Sequence, residues 1–329
     1  MGRKRDLISK TASEVSRPLS RTKRKAKFEK SPRLIIVMLH HITAGKISND
    51  ASREITITTE NLRKYLKFLK ERFQICTLHE AARRIRQGVD GPFLVLSFDD
   101  GYTDFYENAF PILKEMGLPA NQNLIVKYAD EDRPGYMNWR QIKELYDSGL
   151  VEFGCHTYDG HLLEEGEPIL KNAPEEKILK DLTLASESFE KELGFLPDIL
   201  AWPYGEKPQN ISDEKLQELG FKFCLNTKSG VNFRPIKFMN LRRFAALDFE
   251  TPEKLYSIIE GYDNLGFLLG KHWFYRRNEI KWTENNKTLT FSFFNCDLDG
   301  LIIIFYKLSI WKSFFGTWKI GSFKTTRLG

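Results

Sequence analysis

Phe93-Leu94-Val95-Leu96-Ser97-Phe98 runs directly into Asp99-Asp100-Gly101. Six mostly apolar residues closed by an acidic turn read as a strand buried on both faces, as in a parallel sheet. Outward from it the same unit recurs. Leu34–Leu39, Val151–Cys155, Ile199–Trp202 and Phe221–Leu225 read as further strands, and Asn123–Val126 as another. Between them the 3.6-residue period predicts helices over 60–73, 105–116, 139–147, 175–193, 211–219 and 251–260. Thr59 is the expected N-cap of the first, Gly117 closes the second, and Pro252 suits the first turn of the last. This βα alternation predicts a parallel sheet or barrel with its chemistry at the C-terminal strand ends.

A chain of 329 residues at 41% hydrophobic can bury a large core. Its net charge of +6 is unevenly spread. Residues 1–33 hold 12 Lys/Arg against 3 Asp/Glu, residues 266–329 hold 10 against 4, and the middle holds 28 against 37. An acidic body therefore carries two basic ends. Residues 1–33 lack hydrophobic periodicity and are expected to be a disordered arm. They have no apolar run of the kind a secretory leader carries. Residues 34–265 read as the main domain. After 266 the period changes to two, in Thr288–Phe293 and Leu301–Leu308, which predicts a small β appendage. Leu301–Trp318 is apolar but broken by Lys307 and Lys312, so a membrane-spanning helix is not expected there. Cys76, Cys155, Cys224 and Cys296 are scattered and imply no disulfide framework.

Two more segments bear on the chemistry. Gly154-Cys155-His156-Thr157-Tyr158-Asp159-Gly160-His161 puts two imidazoles five residues apart across a short turn that follows a strand. With one carboxylate from Asp99-Asp100 they can form an Asp/His/His set for a divalent ion, leaving positions open for water and substrate. Zn2+ is the default ion, and other first-row metals suit the same donors. Such an ion lowers the pKa of a bound water to about 7, and a carboxylate that does not bind the metal can take the proton. The third segment is Ala201-Trp202-Pro203-Tyr204-Gly205, where a strand ends in a turn that can present a backbone N–H and a pocket wall.

In this order the three segments resemble the motifs of the polysaccharide deacetylases of carbohydrate esterase family 4, the NodB-homology domain. The resemblance covers about residues 34–260 and includes the approach Trp139–His156. It implies a distorted (β/α) barrel of seven strands and hydrolysis of an N-acetyl group from an amino sugar through a tetrahedral intermediate. It further implies Asp99 as base, Asp100, His156 and His161 as metal ligands, the Tyr204 N–H as an oxyanion donor, and Thr157 as a buttress. Trp139, Trp202 and Pro203, with Tyr102 and Tyr158, are candidate sugar-contacting walls.

Two features depart from the commonest pattern. The histidines are spaced by five, where four is usual, and Ala201 stands where an arginine usually orients the base. Both resemble the poly-N-acetylglucosamine deacetylase branch, in which the acid histidine comes from the first strand. Met38-Leu39-His40-His41 lies there; alignment favours His41 as the acid, with His40 the alternative. Arg242 or Arg243 is the candidate for the missing positive charge.

The expected activity is thus metal-dependent N-deacetylation of an oligo- or polysaccharide or a lipid-linked glycan. The alternatives are hydrolysis of another small amide on the same fold, or a non-catalytic glycan-binding module. Besides a carbohydrate, an anionic membrane surface is a candidate partner for the basic ends. Nucleic acid is disfavoured, since Phe28 is the one aromatic residue among the basic ones of the arm. The expected location is cytoplasmic, peripheral to a membrane, although the family is often found at the cell envelope.

Overall fold

The computed structural model describes residues 33–47, 55–89, 91–248 and 250–260, together with three strands near the C-terminus. Residues 1–32 of the basic arm, the expected strand Leu301–Leu308 and Cys296 lie outside the described residues.

Thirteen strands are found in the main unit among the described residues. They are β1 (Arg33–Leu39), β2 (His41–Thr43), β3 (Thr56–Thr58), β4 (Gln74–Ile75), β5 (Phe93–Phe98), β6 (Ala120–Leu124) and β7 (Val151–Cys155), then β8 (Leu163–Glu164), β9 (Glu167–Pro168), β10 (Ile199–Ala201), β11 (Phe223–Leu225), β12 (Asn232–Phe233) and β13 (Phe244–Ala245). The main sheet runs β11-β10-β7-β6-β5-β1, parallel throughout. β13 joins β1 in parallel, with Val37 opposite Phe244, and Leu241 bridges Leu225 of β11. The segment from Leu241 to Ala245 therefore links the two ends of the sheet into a distorted barrel. β12 pairs antiparallel with the start of β1, and β4 lies beside the start of β5.

Side chains alternate between two apolar layers, as the pleat requires. Ile35, Val37, Leu94, Leu96 and Phe98 face outward into the helical layer. Leu34, Ile36, Phe93, Val95, Ile199 and Phe223 form a second cluster inside the barrel. A helix over Leu78–Arg86 contributes Leu78, Ala81, Ala82 and Ile85 to that inner cluster and so plugs the barrel at the N-terminal end of its strands. Towards the opposite end the interior turns polar, with Ser97, Asn121, Asn123 and Arg243 all buried.

Helix boundaries follow their caps. The helix Thr59–Lys70 starts at Thr58, whose hydroxyl accepts the Asn61 N–H, so the cap lies one residue before the expected Thr59. Trp139–Asp147 carries a reciprocal capping box between Asn138 and Gln141. Glu175–Leu193 ends at Gly194 with φ 77°. Phe105–Ala109 is a π-helical turn leading into Phe110–Met116, whose first turn contains Pro111. One strand is displaced from expectation: the ladder occupies Ala120–Leu124, and Val126–Asp130 is a short helix. Cys76, Cys155 and Cys224 are buried free thiols.

The chain divides into two compact units, and the second is seen here as three strands. Glu279–Thr283 pairs antiparallel with Thr288–Phe294, which covers the expected strand at 288–293, and Lys324–Thr326 adds in parallel. No helix among the described residues is long and apolar enough to cross a membrane.

Candidate metal and catalytic site

The C-terminal ends of β1, β5, β7, β10 and β11 face one another, and their following residues converge. Asp100 Oδ1 lies 3.2 Å from His156 Nε2 and 3.3 Å from His161 Nε2. The three ligand atoms all fall within 4.8 Å of one another. Asp100 and His156 are buried, and the His161 side chain is 23% exposed. His156 Nδ1 donates to the Ala201 carbonyl over 2.7 Å, which leaves its Nε2 lone pair directed at Asp100. Asp100 Oδ1 is buried with no hydrogen-bond partner. A tetrahedral ion with bonds of about 2.1 Å would hold its donors about 3.4 Å apart. The donor types, their separations and the orphaned oxygen all fit a divalent cation.

Local backbone strain assembles this cluster. Asp100 (φ 76°), Thr157 (φ 68°) and Tyr204 (φ 58°) are left-handed non-glycine residues, each costing about 1–3 kcal/mol. Gly101 follows Asp100 at φ 81°, where an added Cβ would sit 3.1 Å from Leu124 Cδ2. The acidic pair therefore turns sharply off β5, sending its two carboxylates to different neighbours. Thr157 is completely buried, and its hydroxyl donates to the His156 carbonyl.

Asp99 is enclosed from the other side. Its Oδ1 accepts from Arg243 Nη1 at 2.8 Å and from Asn123 Nδ2 at 2.7 Å. Arg243, fully buried on the closing segment, also donates Nε–H to the Asn226 carbonyl at 2.9 Å. Asp99 Oδ2 faces His40 Nε2 at 4.0 Å. Burial alone would push the Asp99 carboxyl up; the Arg243, His156 and His40 charges outweigh it and hold the group below its ordinary range. Burial likewise pushes the His40 imidazole down, against the pull of Asp100 and Asp99.

Several expected residues stand elsewhere. Of the two histidines at the end of β1, neighbouring residues point to opposite sides, and His40 rather than the expected His41 is the one beside Asp99. His41 Nδ1 instead bonds Asp104 Oδ2 at 2.7 Å, and its ring stacks on Tyr102 at 3.5 Å. Of the two arginines, Arg242 is exposed, and its backbone is tied to Asn232. Trp139 donates its indole N–H to Asp130 and packs edge-on against Phe189, so its ring serves the helical layer. Trp202 is 2% exposed and Pro203 is buried, both as core. Tyr204 is 43% exposed, tilts against the His161 ring and donates its hydroxyl to the His161 carbonyl at 3.0 Å. The sequence reading missed Asn123, Asp104 and Asp181. Asn123 is hidden in an amide-rich strand; nothing in the sequence singles out the other two.

A parallel barrel with an Asp/His/His cluster and a second, clamped carboxylate at its C-terminal strand ends is the arrangement that the resemblance to the NodB-homology domain implies. Residues 86–224 match the family model described as Polysaccharide deacetylase. It is 28% identical over 215 residues to a poly-beta-1,6-N-acetyl-D-glucosamine N-deacetylase of Escherichia coli strain K12, covering 54% of this chain and 32% of the relative. A Staphylococcus aureus protein of the same description is 33% identical over 135 residues, covering 39% of this chain and 45% of the relative. The chain thus spans less than half the length of either. The fold also matches the Streptococcus pyogenes deacetylase PplD in complex with acetate, with TM-score 0.62, 22% identity and coverage of 69% of this chain and 98% of that one.

Proposed function

We propose that this chain is a metal-dependent hydrolase that removes N-acetyl groups from an amino-sugar oligo- or polysaccharide, with Zn2+ as the ion held by Asp100, His156 and His161. The observation that carries this reading is the division of labour within one dipeptide. Asp100 meets both histidines, while Asp99 is turned to Arg243 and Asn123 with one oxygen left free. A bound ion of this type supplies a water of lowered pKa and polarises the substrate carbonyl.

The chain's own groups do the rest. Asp99 Oδ2, the oxygen without a clamp, takes the proton of the attacking water. His40 Nε2, 4.0 Å from that oxygen, gives a proton to the departing sugar nitrogen, which leaves as an amine with acetate as the other product. The Tyr204 N–H, on a backbone fixed by its left-handed turn and by the Thr227 hydroxyl on its carbonyl at 3.1 Å, stabilises the oxyanion. Tyr204 also offers an exposed ring at the mouth for a sugar face.

The domain division at 33 and 265, and cytoplasmic, peripheral attachment to an anionic membrane through the basic ends, are proposed from charge and pattern alone. Salt-sensitive fractionation checks the attachment. The activity is tested by acetate release from a panel of N-acetylated glucosamine oligomers, using metal-stripped protein reloaded with single ions. Release that depends on the ion and is lost in Asp99→Asn supports the reading. Metal binding without acetate release from any glycan rejects it.

A further inference from the structure

The two ligand histidines are five residues apart and share no helix or strand face, so a loop conformation must impose their convergence. That loop, residues 157–160, is bound on two sides. Its Thr157 and Tyr158 carbonyls accept from the Val126 and Lys127 N–H groups at 3.2 and 3.1 Å. Its N–H groups turn the other way. The Tyr158 N–H reaches Asp181 Oδ1 and the Asp159 N–H reaches Asp181 Oδ2, each at 2.9 Å. Gly160 leaves no slack, because a Cβ there would meet Leu170 Cδ1 at 2.3 Å.

Asp181 comes from the helix Glu175–Leu193 and is 8% exposed. It has no ion pair among the described residues. A carboxylate buried without a cation is costly unless backbone donors hold it. Burial pushes its carboxyl up, and the nearby Asp159 charge adds to that. The helix core already contains Ile178, Leu182, Ala185 and Phe189, all fully buried, so an apolar residue at 181 would serve packing at lower cost.

We propose that Asp181 is a positioning residue of the metal site, a carboxylate clamp that shapes the loop and sets His161 at the distance from Asp100 and His156 that one ion requires. The inference rests on the metal reading above and not on the identity of the substrate. Partners one shell behind the ligands act by fixing ligand orientation, and their loss weakens metal affinity about 10- to 100-fold.

The test is metal affinity on the full chain without substrate, by competition of Zn2+ against a chromophoric chelator. The Co2+-loaded protein's visible spectrum reports coordination separately. Asp181→Asn keeps the shape but can no longer accept at both positions. It is expected to weaken Zn2+ binding at least tenfold and to alter the Co2+ spectrum. Asp181→Glu, which keeps the carboxylate, is expected to recover part of the affinity. Ile178→Ala removes buried packing from the same helix but leaves both Asp181 bonds to the loop in place, and it is expected to leave affinity unchanged, which separates positioning from general stability. Wild-type affinity in Asp181→Asn overturns the proposal, as does an equal loss in Ile178→Ala. If Asp181→Asn does not accumulate folded, Asp181→Glu decides: an unchanged affinity and spectrum overturn the proposal. Asp181-dependent metal binding in a chain that releases no acetate would sink the deacetylase reading and leave this one standing.

Discussion

Arg243 Nη1 donates to Asp99 Oδ1 across 2.8 Å, and both side chains are buried. The positive charge that the Ala201 position lacks is thus supplied by the segment that closes the barrel between β11 and β1. Removing one member of a buried pair leaves an uncompensated charge and costs about 3–5 kcal/mol. Arg243→Ala is therefore expected to lower the melting temperature by on the order of 10 °C and to reduce acetate release by at least 100-fold. Arg242→Ala, at an exposed side chain, should change neither by much. Equal effects of the two substitutions in melting and turnover assays would remove Arg243 from its assigned place.

The neighbouring histidines make a second contrast. His40 faces Asp99, whereas His41 is committed to Asp104 and Tyr102. Loss of a positioned acid costs about 10²–10⁴-fold in rate. His40→Ala should lose turnover on that scale while retaining its metal, and His41→Ala should lose far less. Turnover and metal content measured on the same preparations check this, and a larger rate loss in His41→Ala would reverse the roles.

How much of this was readable depended on whether the signal was local. Asp99-Asp100 and His156 follow apolar runs directly and His161 lies five residues further on, so the grouping of Asp100 with the two histidines could be read from residue type and position. Arg243 lies 144 residues from its partner, and no local pattern connects them. The choice between His40 and His41 turns on a period of two, so a shift of one residue moves the imidazole to the other face. β6 was placed late because Asn121, Gln122 and Asn123 break the apolar run that marks a buried strand. Their amides are buried because the barrel interior is polar there: Asn121 accepts from Ser97 and Asn123 donates to Asp99. The plug helix Leu78–Arg86 is only nine residues long, too short for a strong apolar period, and its start is marked by the Thr77 hydroxyl, which accepts the Glu80 N–H.

The ligand cluster should also register in stability. A ligand that binds the folded chain alone stabilises it by about 2.7 kcal/mol at a free concentration 100 times its Kd. Chelation is expected to lower the melting temperature and abolish acetate release, and Zn2+ to restore both. Asp100→Ala removes the oxygen shared by both histidines. It should melt at the same temperature with and without Zn2+. A persisting Zn2+-dependent shift in that variant would place the ion elsewhere.

At the other end of the barrel, His79 fastens the plug helix to the barrel floor. Its Nε2 donates to Asp198 at 2.9 Å and its Nδ1 to Glu152 at 2.8 Å, while Lys222 shares Asp198 at 3.0 Å. With both ring nitrogens donating to carboxylates, the ring is an imidazolium. The bonds to Asp198 and then Glu152 push its pKa up to about 9, against a burial effect of opposite sign. A folded pKa above the unfolded value of about 6.5 means that the contribution is complete below about pH 6.5 and fades as pH rises towards 9. Metal-free protein should therefore lose thermal stability between pH 6.5 and 9, and His79→Gln should show a flatter profile over that window. The half-exposed ring keeps the effect modest, because solvent screens the pair. Melting curves at half-unit pH steps decide it: parallel wild-type and His79→Gln profiles would mean that this imidazole is not charged in the folded chain.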